Sequence, residues 1–425
     1  MASAQHPETP VWEALRCFVR SVLARNVTGV ILLAAAVTLA IGTGLLGWGR
    51  QGGILDACMD GVYFFASGRC WGVGLNPYDP PTLAANGGAW LNPEFFFYPP
   101  QVSFLSVFLG SFSLPVAKVV LGLLNMGCAV LLAWLCVRVW REESDRPPEG
   151  PSPQARWLIP AIVLGCPFTA NVLWMGQSSL IAAAALYSGW IIARRGSWIA
   201  GGALIGLSTL KPQLAFLPIV WLLLERRWKE LALGAAAAIS AAAPAIRVSG
   251  AVGAYRDWMG TLSRVSSCSN SAPGADHLFS VHNVFASLGI MLPSFIPLAV
   301  AATAVLWWYR ARVLETDVFP LLMGLTMLFG FASDYDLVAL APFIPAYWRH
   351  LRNRDGSALG AALAMLLLFI PQRVFVPSGI PLLIHFRVFI VLFLTAWLLV
   401  LSLRESRKRR AGQPFPEPVR PAPAV

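Results

Sequence analysis

Repeated apolar runs of roughly 17 to 25 residues, separated by short polar turns, constrain this chain more than any other feature. A bilayer core of about 30 Å requires helices of this length, and within lipid the helix also satisfies every backbone hydrogen bond. Only 12% of the 425 residues are charged, whereas soluble domains carry about 25%. The sequence therefore predicts an all-α polytopic membrane protein.

Lys and Arg collect in cytoplasmic loops, and this bias sets the orientation of the spans. Arg16, Arg20 and Arg25 precede the first run and place the amino terminus inside. Twelve spans with both termini inside keep every Lys/Arg-rich loop on the cytoplasmic side. The net charge of +11 is therefore explained by membrane topology and does not indicate binding to nucleic acid. The predicted spans are 27–48, 115–137, 157–174, 178–192, 197–210, 213–224, 231–246, 284–309, 318–332, 337–348, 358–371 and 381–403.

The spans divide the chain into five parts. These are a cytoplasmic segment 1–26, a transmembrane module 27–246 whose first outer loop is 49–114, a second outer loop 247–283, carboxyl-terminal helices 284–403, and a cytoplasmic tail 404–425. The run QVSFLSVFLGSF inside the first outer loop is apolar but short. A run of a dozen residues is typical of an interfacial segment, so we expect a juxtamembrane helix there.

Carboxylates are scarce in this chain, and four of them lie in the first outer loop: Asp56, Asp60, Asp79 and Glu94. Ionised groups beside membrane spans are costly and usually belong to a site or a water-filled cavity. Asp60 is the predicted general base, since the following GVYFFA would place aromatic side chains on the same helix face. Asp56, one helical turn earlier, is the alternative base, and an ordinary surface position is the structural alternative for Asp60.

Other polar side chains fall on the same predicted face and would bind the substrates. Lys211, in a turn before Pro212, must either extend its ammonium group to the interface or hold an anion. Instead of binding substrate, Gln177 could cap the adjacent helices, and Arg373 could anchor its segment at the membrane interface. The predicted ligands of a donor phosphate are Lys211, His282 and Arg373, and those of a sugar or acceptor are Tyr78, Asp79, Tyr98, Asn171 and Gln177.

Cysteine and metal chemistry have little support in the sequence. Cys58 and Cys70 lie in the same outer loop and could form a disulfide, although two cysteines make no framework. No metal-ligand spacing is present. The sequence therefore predicts no cofactor and no essential metal, and leaves open a loosely bound divalent cation.

Several motifs, taken in order, resemble those of glycosyltransferase family 87. They are LNPYDP (75–80), FFFYPP (95–100), the Asn-x4-Gly-Gln turn from Asn171 to Gln177, AGGALIGLSTLKPQL (200–214) and LLLERRW (222–228). The likeness covers residues 55–228 well and extends weakly through HNVFASLG at His282. The family that the chain resembles consists of bacterial integral-membrane enzymes of the GT-C class, and many of them use polyprenyl-phosphate mannose as the sugar donor.

The resemblance implies a GT-C fold with an amino-terminal catalytic module, and a bacterial inner-membrane protein whose active site faces the periplasm. The family's loop-one acid falls on Asp60, although Gly61 stands where an aromatic residue is more common, and its Lys-Pro turn falls on Lys211. The implied activity is transfer of a sugar, by family majority mannose, from a polyprenyl-phosphate donor to a lipid or glycan acceptor. A flippase for lipid-linked sugars and a glycan ligase or polymerase remain the alternatives.

Overall fold

The computed structural model describes residues 58–87, 92, 96–144, 155–265, 272–352, 357–370 and 372–411. The α-helices in these ranges are α1 (Gly61–Gly72), α2 (Pro80–Gly87), α3 (Ser103–Gly110), α4 (Leu114–Ser144), α5 (Ala155–Gly165), α6 (Pro167–Met175), α7 (Ser179–Arg194), α8 (Trp198–Leu207), α9 (Pro212–Leu224), α10 (Trp228–Ala241), α11 (Ala243–Val265), α12 (Val281–Ser287), α13 (Ile296–Trp308), α14 (Glu315–Phe329), α15 (Phe343–Arg352), α16 (Ser357–Leu367), α17 (Pro381–Ile384) and α18 (Phe386–Ala411). Short 3-10 helices at Pro100–Val102, Ser208–Leu210, Arg310–Arg312, Asp334–Leu340, Gln372–Val374 and Val376–Ser378 join several of them, and strands β1 (Leu278–Phe279) and β2 (Ala332–Ser333) form a two-stranded antiparallel sheet. The predicted all-α class is confirmed.

Two described helices, α4 and α18, are long and apolar enough to cross a membrane by themselves. Two further pairs pass the same test when each is taken together, α5 with α6 and α10 with α11. By length and composition, the described residues therefore include two to four segments that could cross a membrane, the higher number if each bent pair is one span. The predicted run 115–137 is confirmed as part of one long apolar helix, whereas the run 381–403 divides into the short α17 and, from Phe386, the long apolar helix α18. The first predicted span, 27–48, lies outside the described residues, and the count of twelve stays a prediction.

Proline residues change the shape of the predicted spans. The run 157–174 is not one straight helix, because the chain bends by 45° between α5 and α6. Pro167 begins α6, and its ring and missing N–H disfavour a continuous helix at that point. The run 231–246 likewise turns by 104° between α10 and α11. Helix α11 extends to Val265 with a kink at Gly250, whose φ is 71°, so the second outer segment begins as a kinked helix.

The run 284–309 was predicted as one span, and the structure corrects this. Helix α12 ends at Ser287, and α13 does not begin until Ile296. The intervening segment contains Gly289, at a φ of 78°, and Pro293. A left-handed glycine and a proline interrupt helical hydrogen bonding, so the apolar run does not form a single long helix.

The first outer segment folds against the amino-terminal helices. The expected juxtamembrane helix is present as α3, and it crosses α1 at two glycines. A Cβ on Gly68 would lie 1.8 Å from the backbone oxygen of Ser106, and one on Gly110 would lie 2.7 Å from the backbone of Gly68. The two helix backbones are therefore in direct contact.

Aromatic side chains form a separate core in this segment. Phe64, Trp71, Tyr78, Phe96 and Tyr98 are all buried, with neighbouring ring centroids 4.6 to 6.0 Å apart. Edge-to-face and tilted aromatic pairs of this kind stabilise a core beyond the area they bury. The first outer segment is thus a packed unit.

The possible disulfide between Cys58 and Cys70 is not formed. Both are free thiols in the structure. The Cys58 Sγ lies 3.8 Å from the carbonyl oxygen of Lys118, and the Cys70 Sγ lies 3.8 Å from that of Thr82. Each thiol is a small buried group that contacts a different carbonyl.

Candidate active site

Asp60 immediately precedes α1 and is held by the turn between α6 and α7. The backbone N–H of Cys58 donates to the Trp174 carbonyl, and that of Asp60 donates to the Met175 carbonyl, each at 2.8 Å. Gly176 continues this turn with a φ of 71°, and a Cβ there would lie 2.9 Å from the Cys58 Cβ. Glycine therefore permits both the left-handed turn and the close approach of the segment that carries Asp60.

One oxygen of the Asp60 carboxylate receives both of its hydrogen bonds from side chains. The Tyr98 hydroxyl donates to Oδ2 at 3.1 Å, and the Gln177 Nε2 amide donates to the same oxygen. No described residue donates to Oδ1. Three side chains that the sequence predicted for the site, separated by up to 117 positions in the chain, thus meet at one point.

The surroundings of Asp60 disfavour its charge. Burial raises the pKa of Asp60 to about 6, against the opposing effects of the Tyr98 hydrogen bond and the positive charge of Lys211. Burial and the nearby Asp60 charge together raise the pKa of Tyr98 well above its ordinary value, so this hydroxyl remains a donor. A buried carboxylate with a pKa near neutrality is suited to general-base chemistry.

Lys211 lies between the 3-10 turn Ser208–Leu210 and α9, and its ammonium group is buried. Nζ is 2.7 Å from Oδ1 of Asp336 and 4.4 Å from the centroid of the Tyr335 ring. Asp336 also accepts hydrogen bonds from the Ser179 hydroxyl at 2.7 Å and the Ser333 backbone N–H at 3.0 Å. The ion pair therefore joins the turn before α9 to the start of α7 and to the segment after β2.

A second ion pair lies on the same segment. Arg387, near the start of α18, is 2.9 Å from Oδ2 of Asp334, and its guanidinium stands 4.9 Å from the centroid of the Phe168 ring. It also donates to the Ile370 carbonyl at 2.7 Å. Burial raises the pKa of Asp334 to about 6, and the Arg387 charge opposes this rise. Two carboxylates two positions apart thus each hold one buried cation.

Tyr335, between these two carboxylates, completes the wall of the site. Burial, and then the negative charges of Asp336 and Asp60, raise the pKa of Tyr335 above its ordinary value. The 3-10 helix Asp334–Leu340 directly follows β2, whose pairing with β1 (Leu278 opposite Ser333) fixes where it begins. The site therefore combines groups from the first outer segment, the α6–α7 turn, the turn before α9 and the segment after β2.

Comparison with protein families decides the identity of the chain. The model of glycosyltransferase family 87 matches residues 96–333, more than half of the chain. The chain belongs to glycosyltransferase family 87. It is therefore a membrane glycosyltransferase, as the resemblance of its motifs implied. No curated protein matches the chain in a sequence search.

The family 87 match contains Tyr98, Asn171, Gln177, Lys211 and His282. Asp60, Tyr78 and Asp79 precede the matched residues, while Asp334, Asp336 and Arg387 follow them. Asp60 nevertheless contacts Tyr98 and Gln177 directly, so the unmatched base candidate is joined by hydrogen bonds to matched residues.

The remaining predicted residues of this family 87 protein lie around the site in different settings. The Tyr78 ring is part of the buried aromatic cluster, and its hydroxyl donates to the Tyr98 carbonyl at 2.9 Å. Asp79 accepts from the backbone N–H and the hydroxyl of Thr82, at 3.2 and 2.5 Å. Asn171 is half-buried on α6. Tyr78 and Asp79 thus have structural partners in addition to any contact with substrate.

Of the predicted phosphate ligands, His282 has no contact with the Asp60 centre among the described residues. The His282 ring, on α12, packs against Phe295 at a centroid distance of 6.2 Å. The neighbouring Asn283 lies inside α12, whose N-cap is Ser280: its backbone N–H donates to the Ser280 hydroxyl at 3.1 Å, and its side-chain amide donates to the Ala275 and Leu278 carbonyls. Arg373 belongs to the 3-10 helix Gln372–Val374, but its side chain lies outside the described part of the structure, as does the whole of Asp56.

Sequence reasoning assigned no role to Ser179, Tyr335 or Asp336 at the site, or to Arg387 in the neighbouring ion pair. The signal for Asp336 was available, because ASDYDL places two carboxylates between apolar runs, as in the first outer loop. Arg387 is a lone arginine in PLLIHFRVFIVLF, and an ionisable residue within an apolar run marks a functional position by default. In the described ranges no three His, Cys, Asp or Glu side chains come together as a metal site, and the absence of an essential metal stays a prediction.

Proposed function

We propose that this membrane glycosyltransferase transfers a sugar from a polyprenyl-phosphate donor to a hydroxyl of a lipid or glycan acceptor, with Asp60 as the general base. The observation that carries the proposal is the Asp60 carboxylate. Its Oδ2 is held by Tyr98 and Gln177, its Oδ1 accepts no hydrogen bond from the described residues, and its pKa is about 6. Mannose is the sugar that the family resemblance favours.

In this mechanism the acceptor hydroxyl donates its proton to Oδ1 of Asp60 as its oxygen attacks the anomeric carbon. The new carbon–oxygen bond forms while the bond from the anomeric carbon to the phosphate oxygen breaks, and the electron pair of that bond leaves with polyprenyl phosphate. A single displacement inverts the configuration of the anomeric carbon. General-base assistance of this kind contributes about 10² to 10⁴ to the rate.

The charge that grows on the departing phosphate needs cations. Lys211 and Arg387 supply two, each already held by a carboxylate, Asp336 or Asp334. An ammonium group has three donors and a guanidinium five, so each cation keeps donors for a phosphate oxygen after binding its partner. Positioned donors of this kind stabilise the transition state more than the ground state, as an oxyanion hole does. His282 and Arg373 remain proposed further ligands.

Polarity and location support an outward-facing reaction. The loops on the Asp60 side of the predicted topology carry few cations, whereas Lys and Arg are concentrated in the loops at the other side. The donor would enter laterally from the outer leaflet of a bacterial inner membrane. Tyr98 and Gln177, which already contact the base, and Tyr78, Asp79 and Asn171 around it, would bind the sugar or the acceptor.

The test is sugar transfer in detergent from synthetic polyprenyl-phosphate mannose to a membrane-lipid extract. We expect Asp60→Asn to lower turnover by about 10² to 10⁴ while donor binding is retained, because the amide keeps the shape of the carboxylate but cannot accept the proton. Glu405→Gln is the control. It makes the same carboxylate-to-amide change near the end of α18, where Glu405 pairs with Arg409 at 3.3 Å.

Two results would contradict the proposal. Loss of transfer in Asp56→Asn with normal transfer in Asp60→Asn would assign the base to Asp56. The protein would instead be a flippase if two results were found together. The donor would cross a bilayer at the same rate with wild type and Asp60→Asn, and neither protein would transfer sugar from mannose, glucose or arabinose donors.

A further inference from the structure

A cleft of about 500 Å³ lies at the opposite ends of the helices that build the candidate active site. Its lining includes four arginines, Arg194, Arg226, Arg227 and Arg310, together with Glu225 and Trp307. Small-molecule sites typically have volumes of about 300 to 1,000 Å³. The cleft is therefore large enough for a headgroup or a small anion.

Three helices run from the Asp60 side of the protein to this cleft. Helix α7 begins at Ser179, which contacts Asp336, and ends at Arg194, so its 16 residues span about 24 Å. Helix α9 begins after Lys211 and ends at Leu224 in the cleft wall, and α14 begins at Glu315, a partner of Arg194, and leads to Asp334. The cleft is thus distinct from the active site and lies on the other face of the molecule.

Carboxylates of the protein pair with only two of the four arginines. Arg194 donates twice to Glu225 at 2.8 Å, and Arg227 lies 2.5 Å from Glu230. Within the described residues, Arg226 and Arg310 have no carboxylate partner. Arg310 instead donates to the Trp307 carbonyl at 3.0 Å and stands 4.2 Å from the centroid of the Trp307 ring.

The backbone of Arg226 adds an independent observation. Arg226 has a φ of 57°, at the turn that ends α9, where the Arg227 N–H donates to the Leu222 carbonyl at 3.0 Å. Helices often end in such a left-handed residue, and it is usually glycine because a Cβ is unfavourable there. An arginine at this position bears that cost and keeps its side chain exposed at the cleft.

Two donors of the lining residues are also left over. The Trp307 Nε1 and the Arg194 Nε are buried and have no hydrogen-bond partner among the described residues. Buried donors in proteins are nearly always satisfied, and an exception calls for an explanation such as a missing ligand. The general excess of Lys and Arg on inner loops explains positive charge, but it does not explain arginines and unused donors around one cavity.

We propose that this cleft binds a phosphate group, monoester or diester, with Arg226 and Arg310 as its principal ligands and the Trp307 ring as part of its wall. Guanidinium groups match phosphate oxygens with paired, charge-assisted hydrogen bonds, and they do so without displacing Glu225 or Glu230 from their partners. The phosphate could belong to an anionic phospholipid headgroup or to a free phosphate compound, since both present the same oxygens.

The test uses the full-length protein in neutral detergent, titrated calorimetrically with short-chain phosphatidylglycerol and, separately, with inorganic phosphate. We expect saturable binding by the wild type. The affinity should be about tenfold or more weaker in Arg226→Gln/Arg310→Gln, because this variant loses the charge-assisted hydrogen bonds of both guanidinium groups to the phosphate. The control is Lys408→Gln/Arg410→Gln, which removes two exposed charges from the end of α18, outside the cleft.

A third variant separates binding from folding. Arg226→Gly removes the guanidinium but suits a φ of 57°, so it should keep or raise the Tm while weakening binding. Binding of both probes would support a site for phosphate itself, and binding of phosphatidylglycerol alone would support a lipid headgroup site. Absence of saturable binding, or equal losses in the control and in the cleft variants, would overturn the proposal.

Discussion

The Asp60 carboxylate has unequal oxygens. Tyr98 and Gln177 both donate to Oδ2, whereas no described residue donates to Oδ1. Two donors on one oxygen also fix the plane of the carboxylate, and a base acts efficiently only within about 2.6 to 3.2 Å of the proton it removes. The chain thus positions one acceptor oxygen through residues of two different segments.

We expect the activity to rise with pH through about 6, because burial raises the pKa of Asp60 to that value and only the carboxylate can accept a proton. Below this pKa, kcat/KM should fall about tenfold per pH unit, and above it should be level. The same raised pKa means that ionisation of Asp60 disfavours the folded state. The free energy of unfolding should therefore decrease as the pH rises from the ordinary pKa of Asp to about 6, the pKa of Asp60 in the folded protein. A pH profile of transfer over about pH 5 to 8 measures the limb.

The double variant Lys211→Met/Asp336→Asn provides the control for this profile. The Lys211 charge lowers the pKa of Asp60, so its removal should move the limb to higher pH. Changing Asp336 as well avoids a buried unpaired carboxylate, which would cost about 3 to 5 kcal/mol. An unchanged limb in this variant, or a wild-type limb near pH 4, would show that the limb does not report Asp60.

At the residue scale, the sequence could predict the members of the site better than their partners. Asp60, Tyr98 and Gln177 were predicted because polar groups are conspicuous in an apolar chain, and the structure places them in contact. Lys211 was predicted to bind a phosphate without any counter-ion. Its partner Asp336 is 125 positions away, and no local pattern states which of several carboxylates a lysine will meet.

At the scale of helices, the crossing of α1 and α3 depends on the absence of side chains. Gly68 faces the Ser106 carbonyl so closely that a Cβ would lie 1.8 Å from its oxygen. Backbone atoms cannot move aside as the end of a flexible side chain can, so the helices would have to separate. Because α1 begins just after Asp60, such a separation would also disturb the base.

We therefore expect Gly68→Ala to destabilise the protein by about 1 to 3 kcal/mol through overpacking and to lower sugar transfer. Gly72→Ala is the matched control, since it lies in the same helix and has no atom within 4 Å of the added Cβ. That variant should be neutral or stabilising by up to about 1 kcal/mol, because alanine restricts the unfolded chain. Thermal unfolding in detergent compares the two, and equal Tm values would show that the close contact does not limit stability.

The elements themselves were largely predictable, and their breaks were not. Apolar runs located α4, α7, α9 and α18 because hydrophobic length alone specifies a helix in a membrane protein. The bends after α5 and α10 depend on Pro167 and on the residues around Ala242, and a hydropathy pattern averages over single residues. A proline within an apolar run is compatible with a kink, a break or an ordinary helix start, and tertiary contacts decide which occurs.

On the scale of the whole molecule, the ends of α7 distinguish two faces. One carries the carboxylates, Lys211 and the aromatic cluster, and the other carries the arginine cleft. The bias of Lys and Arg toward cytoplasmic loops predicts that the cleft faces the cytoplasm and Asp60 the periplasm. The same bias predicts that the exposed Ser197, after α7, is inside, and that the exposed Ser378, after the 3-10 turn at Gln372, is outside.

Single cysteines at these two serines test the orientation, in a background from which the seven native cysteines have been removed. With intact cells, a membrane-impermeant maleimide should label Ser378→Cys nearly completely and Ser197→Cys only after permeabilisation. The reverse pattern would invert the topology and place the active site in the cytoplasm. Equal labelling of both positions in intact cells would mean that they share one side.

The hydrogen bonds from the Cys58 and Asp60 amides to the α6–α7 turn affect the dynamics of the active site. A loop that closes over a substrate usually opens and closes in microseconds to milliseconds, and its amides exchange readily with solvent. These two amides are instead paired to helix-end carbonyls beside a buried core, so they should exchange as slowly as the helices themselves. We therefore expect the base to stay in place when substrate binds, and the motion that admits donor and acceptor to come from other segments around the site.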